Sequence, residues 1–116
     1  KKSGSLYVVA VEGENILGGA GIGPLSGVEG TCELQKMYLA PSARRQGVGW
    51  RLMGRLLDDA RLIGYRWIYL ETLTGMVEAQ QLYRAWGFLK IARPLGHTGH
   101  GSCDCWFLKE LNGPNL

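Results

Sequence analysis

The run Arg44-Arg45-Gln46-Gly47-Val48-Gly49 combines the residue types that hold a compact anion. Two glycines let backbone amides come close to a ligand, and a helix starting at about Val48 would aim its unpaired N–H groups and partial positive charge at the same point. Arg44 and Arg45 add full charge, and a pyrophosphate suits all three features. The spacing is not the G-x-G-x-x-G of dinucleotide folds, and it lacks the Gly-Lys-Ser/Thr of a nucleotide P-loop, which argues against NAD and ATP. Glycines before a helix also serve tight turns for steric reasons, so this run alone leaves a turn and an anion site both open.

A second cluster lies near the C-terminus, where His97, His100, Cys103 and Cys105 follow H-x-x-H-x-x-C-x-C spacing within nine residues. Nitrogen and thiolate ligands suit zinc, but so short a segment leaves little chain to wrap a tetrahedron, and structural sites usually draw ligand pairs from two separated segments. The expectation is no metal and a flexible loop beside the site.

These residues need elements to position them. Residues 6–11 (LYVVAV) and 16–22 (ILGGAGI) read as strands around the polar turn Glu12-Gly13-Glu14-Asn15. After a glycine-containing loop over 24–30, residues 32–39 (CELQKMYL) form a third strand, ended by Pro41, which has no amide hydrogen for a ladder. Val48, Leu52, Met53, Leu56, Leu57, Ala60 and Ile63 then recur at three- and four-residue steps, which predicts an amphipathic helix over 48–63 capped by Gly64.

Residues 67–73 (WIYLETL) read as a mostly buried strand, and Thr74 is expected to N-cap a helix over about 76–86. That helix would bury Ala79, Leu82, Tyr83 and Trp86 and stop at Gly87. Strands over 88–92 and 105–111 flank a loop over 94–104. The order β-β-β-α-β-α-β-β predicts an α/β fold with a partly parallel mixed sheet and right-handed crossovers, as one domain over residues 1–116.

Composition agrees with a folded domain: 116 residues, 46% hydrophobic and 20% charged, are enough for one core and far from compositions that stay disordered. No apolar run approaches the ~18 residues of a membrane helix, and residues 1–5 do not open a signal peptide. Three cysteines are an odd number, and Cys103 and Cys105 are too close for an easy bridge, so reduced thiols and a cytoplasmic setting are expected. The formal charge is +3, yet six of eight arginines fall within 44–66. A solvated helix face accounts for Arg51, Arg55 and Arg61. Nucleic acid is not expected, because the glycines demand one close anion rather than a spaced row of phosphates.

The run 44–49 also matches Q/R-x-x-G-x-G/A, the signature with which GNAT acetyltransferases hold the coenzyme A pyrophosphate, and residues 33–41 look like that family's fourth strand. Ala79-Gln80-Gln81-Leu82-Tyr83-Arg84-Ala85-Trp86-Gly87-Phe88 is similar to the A-x-x-L-Y-x-x-x-G-F ending of its fourth helix. The chain therefore resembles a GNAT N-acetyltransferase over roughly residues 6–111. The resemblance implies a GNAT-like acyl-CoA N-acyltransferase fold, acetyl-CoA as co-substrate, and a primary amine of a small molecule or peptide as acceptor.

It further implies that the strand over 33–39 diverges from the one over 67–73, with the pantetheine arm between them. Backbone groups of Met37, Tyr38 and Leu39 would pair with that arm, and a free amide there would polarise the thioester carbonyl. Arg44, Arg45, Gln46, Gly47, Val48 and Gly49 would take the pyrophosphate. Tyr83 aligns with the tyrosine that protonates the departing thiolate, a task for which a phenol of pKa about 10 is still protonated at neutral pH. Packing on the buried stripe is the alternative role for Tyr83, and the L-Y-x-x-x-G-F match favours the proton donor. Glu33, 11 residues before Arg44, stands where some histone-type members place a general base. An alkyl amine of pKa about 10.4 needs one, although Glu33 also reads as an exposed strand residue.

Two features depart from the family. Met76 replaces an asparagine that often contacts the cofactor, and the usual opening strand and two helices are not seen before residue 6. Residues 6–11 would then lie near a sheet edge with one face uncovered, so either a homodimer or a longer polypeptide is expected. The alternative function is a non-catalytic CoA-binding module acting as a sensor or partner-binding subunit.

Overall fold

The computed structural model describes residues 4–98 and 101–111. β1 (Leu6–Glu12) and β2 (Asn15–Pro24) form an antiparallel hairpin through the two-residue turn Gly13-Glu14. β3 (Thr31–Leu39) adds antiparallel to β2, and a 3-10 turn at Pro41–Ala43 leads into α1 (Val48–Ile63). β4 (Trp67–Thr72), α2 (Val77–Ala85), β5 (Leu89–Ile91) and β6 (Cys105–Glu110) complete the described elements.

The six strands make one mixed sheet in the order β1-β2-β3-β4-β6-β5. β3 and β4 are parallel, the pairing that requires a crossover, and α1 supplies it. β6 enters antiparallel between β4 and β5. Both helices pack on one face: Met53, Leu56, Leu57 and Ala60 of α1 share a core with Ala20, Ile22, Cys32, Ile68 and Leu70, and Tyr83 of α2 joins it beside Phe88 and Phe107. Each such buried Leu or Met contributes roughly 1.5–3 kcal/mol.

The opposite face carries cross-strand rows, Gly23–Glu33–Tyr69–Leu108–Leu89 and Glu71–Trp106–Ile91. Tyr7, Val9, Val11, Ile16 and Tyr38 are exposed along β1 to β3. Among the described residues no helix is long and apolar enough to cross a membrane.

Local chemistry moves several boundaries. Thr74 does not cap α2; Met76 occupies that position, and its side chain makes no capping bond to the helix amides. The Thr74 amide and hydroxyl instead donate to the Asp104 carboxylate, both at 2.8 Å, and such charge-assisted bonds outcompete a neutral cap. β4 stops at Thr72 because the Leu73 carbonyl accepts from the Met76 amide in a turn. On α2 only Tyr83 is fully buried, with Ala79, Leu82 and Trp86 half-buried. Phe88 is drawn into the core and β5 starts one residue later.

Candidate active site

The parallel pair β3/β4 is short. Its registers are Thr31↔Trp67, Cys32↔Ile68 and Glu33↔Tyr69, and beyond them the strands part. A bulge in β3 marks the change of course: Gly19 faces Tyr38 and Gly21 faces Gln35, so Lys36 and Met37 together oppose Ala20. Lys36 takes φ 53°, a left-handed conformation costing about 1–3 kcal/mol for a non-glycine residue. Bulge and split leave the β4-facing backbone of residues 34–39 without a ladder partner on that side among the described residues. Met37 and Leu39 are half-buried there, and Tyr38 is exposed.

The loop after β3 ends at the start of α1. Gly47 is the N-cap with φ 79° and no side chain caps the first turn, which also contains no acidic residue. The helix therefore presents uncapped amides and an uncompensated positive end. A Cβ at Gly47 would meet nothing within 4 Å, so the left-handed backbone is what requires glycine there. Gly49 serves close approach: a Cβ would lie 3.1 Å from Leu39 Cδ1 and 3.5 Å from Leu82 Cδ2. Gly49 thus locks the helix start onto the end of β3 and onto α2, while Val48 is buried.

Gln46 Nε2 donates to the Ser42 carbonyl at 2.6 Å, bracing the loop. Arg44 is exposed, and Arg45 reaches Glu78 in the first turn of α2 at 3.3 Å. Both members of that pair are largely exposed, so it is worth about 0–1 kcal/mol and is easily exchanged for a phosphate.

Tyr83 sits on the helix-covered face, its ring centroid 5.9 Å from Phe88 and 6.0 Å from Phe107. The α2 terminus fixes its backbone: the Phe88 amide donates to the Tyr83 carbonyl at 3.0 Å, and the Gly87 amide to that of Arg84 at 2.9 Å. Burial pushes the phenol up from its ordinary value, so it keeps its proton well beyond neutrality.

Glu33 lies on the other face and is only 6% exposed, a buried rather than an exposed strand residue. It accepts from Gln35 Nε2 at 3.2 Å. Beside it the buried Tyr69 hydroxyl donates to Glu71 Oε2 at 2.6 Å and accepts from the Leu95 amide at 3.1 Å, while Thr98 Oγ1 donates to Glu71 Oε1 at 2.7 Å. Burial, then Glu71, pushes the Tyr69 phenol well up. These bonds fasten the loop after β5 to the sheet and leave an open cleft of about 480 Å³ lined by Glu71, His97, Thr98, Cys103 and Trp106. Tyr69, Glu71 and Thr98 escaped the sequence reading. The two-residue period of β4 places Tyr69 and Glu71 on the same face, a readable signal, but nothing local points to Thr98.

Of the His/Cys series, His100 lies outside the described residues. Cys105 turns into the core, whereas His97 and Cys103 line the cleft. Among the described residues no three His, Cys, Asp or Glu side chains converge to hold a metal.

Residues 1–88 match the Acetyltransferase (GNAT) family. The chain belongs to the GNAT family. It is 44% identical over 106 residues to the uncharacterized N-acetyltransferase YjgM of Escherichia coli (strain K12), covering 90% of this chain and 63% of that protein. The chain spans about three-fifths of the length of the first curated relatives it matches. Its fold is similar to a GNAT-family acetyltransferase of Staphylococcus aureus Mu50, with TM-score 0.83 and 24% identity over 94% of this chain and 69% of that one. It is similar also to yncA of Salmonella typhimurium, solved with its cofactor acetyl-CoA, with TM-score 0.78 and 23% identity over 97% and 68% of the two chains. The strand fork, the Gly47 turn and Tyr83 all lie within the GNAT match, and the cleft-forming loop lies mostly beyond it.

Proposed function

We propose that this GNAT chain is the catalytic domain of an acetyl-CoA-dependent N-acetyltransferase acting on a primary amine of a small molecule or peptide. The observation that carries the reading is the fork beyond Glu33 and Tyr69, with an uncapped helix start at one end, a buried phenol on one face and two carboxylates on the other. The pantetheine arm lies in the fork against the backbone of Met37, Tyr38 and Leu39. The pyrophosphate meets the amides of Gly47, Val48 and Gly49, flanked by Arg44, Arg45 and the braced Gln46. The acetyl-CoA bound to yncA supports this choice of co-substrate.

The acceptor enters through the cleft. Its ammonium proton passes to the carboxylate pair, Glu33 with Glu71, and the free nitrogen bonds to the thioester carbon. A β3 amide without a ladder partner steadies the oxyanion. As the C–S bond breaks, the Tyr83 phenol gives its proton to the thiolate, the acylated nitrogen releases its second proton to solvent, and the phenolate recovers a proton from solvent before the next turnover. The three unpaired cysteines support a reducing, cytoplasmic setting, and the exposed strip of Tyr7, Val9 and Val11 supports pairing with a second copy. Sedimentation as a monomer at micromolar concentration would exclude that pairing.

Thermal melting with acetyl-CoA tests the co-substrate site. Binding to the native state alone adds about 2.7 kcal/mol at a hundredfold excess over Kd, so the melting temperature rises. The double change Gly47→Asp and Gly49→Asp should abolish the rise, and a rise left intact contradicts the site.

A further inference from the structure

We propose that Trp50 is the platform on which the purine ring of coenzyme A stacks, an assignment that rests on the co-substrate reading above. Trp50 is the third residue of α1, directly after Gly47-Val48-Gly49. Helical side chains tend to lean back over the preceding turn, so a side chain at this position is within reach of the helix start where the pyrophosphate is placed.

The ring is held in advance. It stacks on Trp86 with centroids 4.2 Å apart and planes 29° apart. Gly54, one turn further along α1, makes room, since a Cβ there would lie 3.1 Å from Trp86 Cη2. Trp86 closes one side, and Trp50 remains 46% exposed. Filling space does not account for this pair. The Trp86 Nε1 group is buried with no acceptor among the described residues, a penalty that phenylalanine would not incur, and an aromatic ring as exposed as Trp50 adds little to a core.

The surrounding charge fits the occupant. Arg51 follows Trp50 directly, and among the described residues neither Arg51 nor Arg44 forms an ion pair. A nucleotide end consisting of a flat base and a ribose phosphate uses both features: the base stacks on a preset indole, and the 3′-phosphate finds free guanidinium groups. The pantetheine arm has neither a ring nor a charge along its length.

The test is calorimetric titration of the full chain with coenzyme A and with 4′-phosphopantetheine, which keeps the arm and one phosphate but has no adenosine. Trp50→Ala should weaken coenzyme A binding about tenfold or more, the effect of losing one base–aromatic stack. It should leave 4′-phosphopantetheine bound as in the wild type, while Trp50→Phe should retain most of the coenzyme A affinity. Undiminished coenzyme A binding by Trp50→Ala overturns the assignment. So does an equal weakening for both ligands, which would mark a structural role or a docking surface for another protein. A wild-type chain that does not bind coenzyme A overturns the co-substrate reading and this assignment with it.

Discussion

Glu33 of β3 stands opposite Tyr69 of β4 in the last register that the two strands share. With Glu71 bonded to the same tyrosine at 2.6 Å, two carboxylates flank the point where the sheet opens. Glu33→Gln combined with Glu71→Gln is expected to lower turnover at neutral pH by about 10²- to 10⁴-fold, the usual contribution of a general base. The loss should shrink at alkaline pH, where the amine loses its proton unaided, and acetyl-CoA affinity should not change. A double variant with wild-type turnover at pH 7 would leave both carboxylates with only the task of fastening the loop.

Tyr83→Phe is expected to lower turnover by about 10²- to 10⁴-fold with little change in acetyl-CoA affinity, because the ring keeps its packing and only the proton donor goes. Burial raises the folded pKa, and the proposed role needs the phenol protonated, so the wild-type rate should fall only above about pH 10. Stability carries the same sign. The contribution of this group is present below the ordinary phenol value and is lost as pH rises toward the folded value, where the unfolded chain has already released its proton. A pH–rate profile under conditions where chemistry is rate-limiting checks this, and an alkaline limb that persists in the Phe variant would assign the limb to another group.

The two glycines at the start of α1 should respond differently. Gly47→Ala forces a side chain into a left-handed backbone and is expected to cost about 1–2 kcal/mol of stability, besides weakening acetyl-CoA binding. Gly49→Ala keeps an ordinary helical backbone but brings a methyl group to 3.1 Å from a flexible Leu39 side-chain end that must shift slightly, so a small loss is expected, and Gly49→Val should disturb the helix start more severely. Denaturant melts of the three variants give the ranking, and equal losses for Gly47→Ala and Gly49→Ala would contradict the distinction.

Thiol labelling under native conditions should modify Cys103 first. Cys32 and Cys105 are buried, and burial pushes the Cys32 thiol up to about 12, which removes the thiolate that a disulfide reagent needs. Both should react only at the rate of unfolding. Rapid native labelling of Cys32 would mean that the sheet beneath α1 opens readily.

Much of this architecture is written in local patterns. α1 spans Val48–Ile63 as its apolar spacing predicts, and Gly64 and Gly87 end the helices as their permissive backbones suggest. The Gly47 turn could be placed because glycine spacing and the following helix are both short-range. The bulge at Lys36 could not, since a lysine carries no preference for a left-handed backbone and the demand comes from β2 and the departing β4. The insertion of β6 between β4 and β5 is likewise a long-range pairing. The Thr98–Glu71 and Leu95–Tyr69 bonds join residues 27 and 26 positions apart, between a loop and β4, where no sequence period connects them. Asp104 took Thr74 from its expected capping role for the same reason, being 30 residues away.

Acetyl transfer is tested most directly by turnover of the purified chain with acetyl-CoA and a panel of primary amines, following free coenzyme A thiol and N-acetylated product together. Equimolar thiol and acetylamine are expected with at least one amine, abolished or sharply reduced in Tyr83→Phe. Binding of acetyl-CoA with no product from any amine in the panel would contradict acetyl transfer and leave a coenzyme-binding module in place of an enzyme.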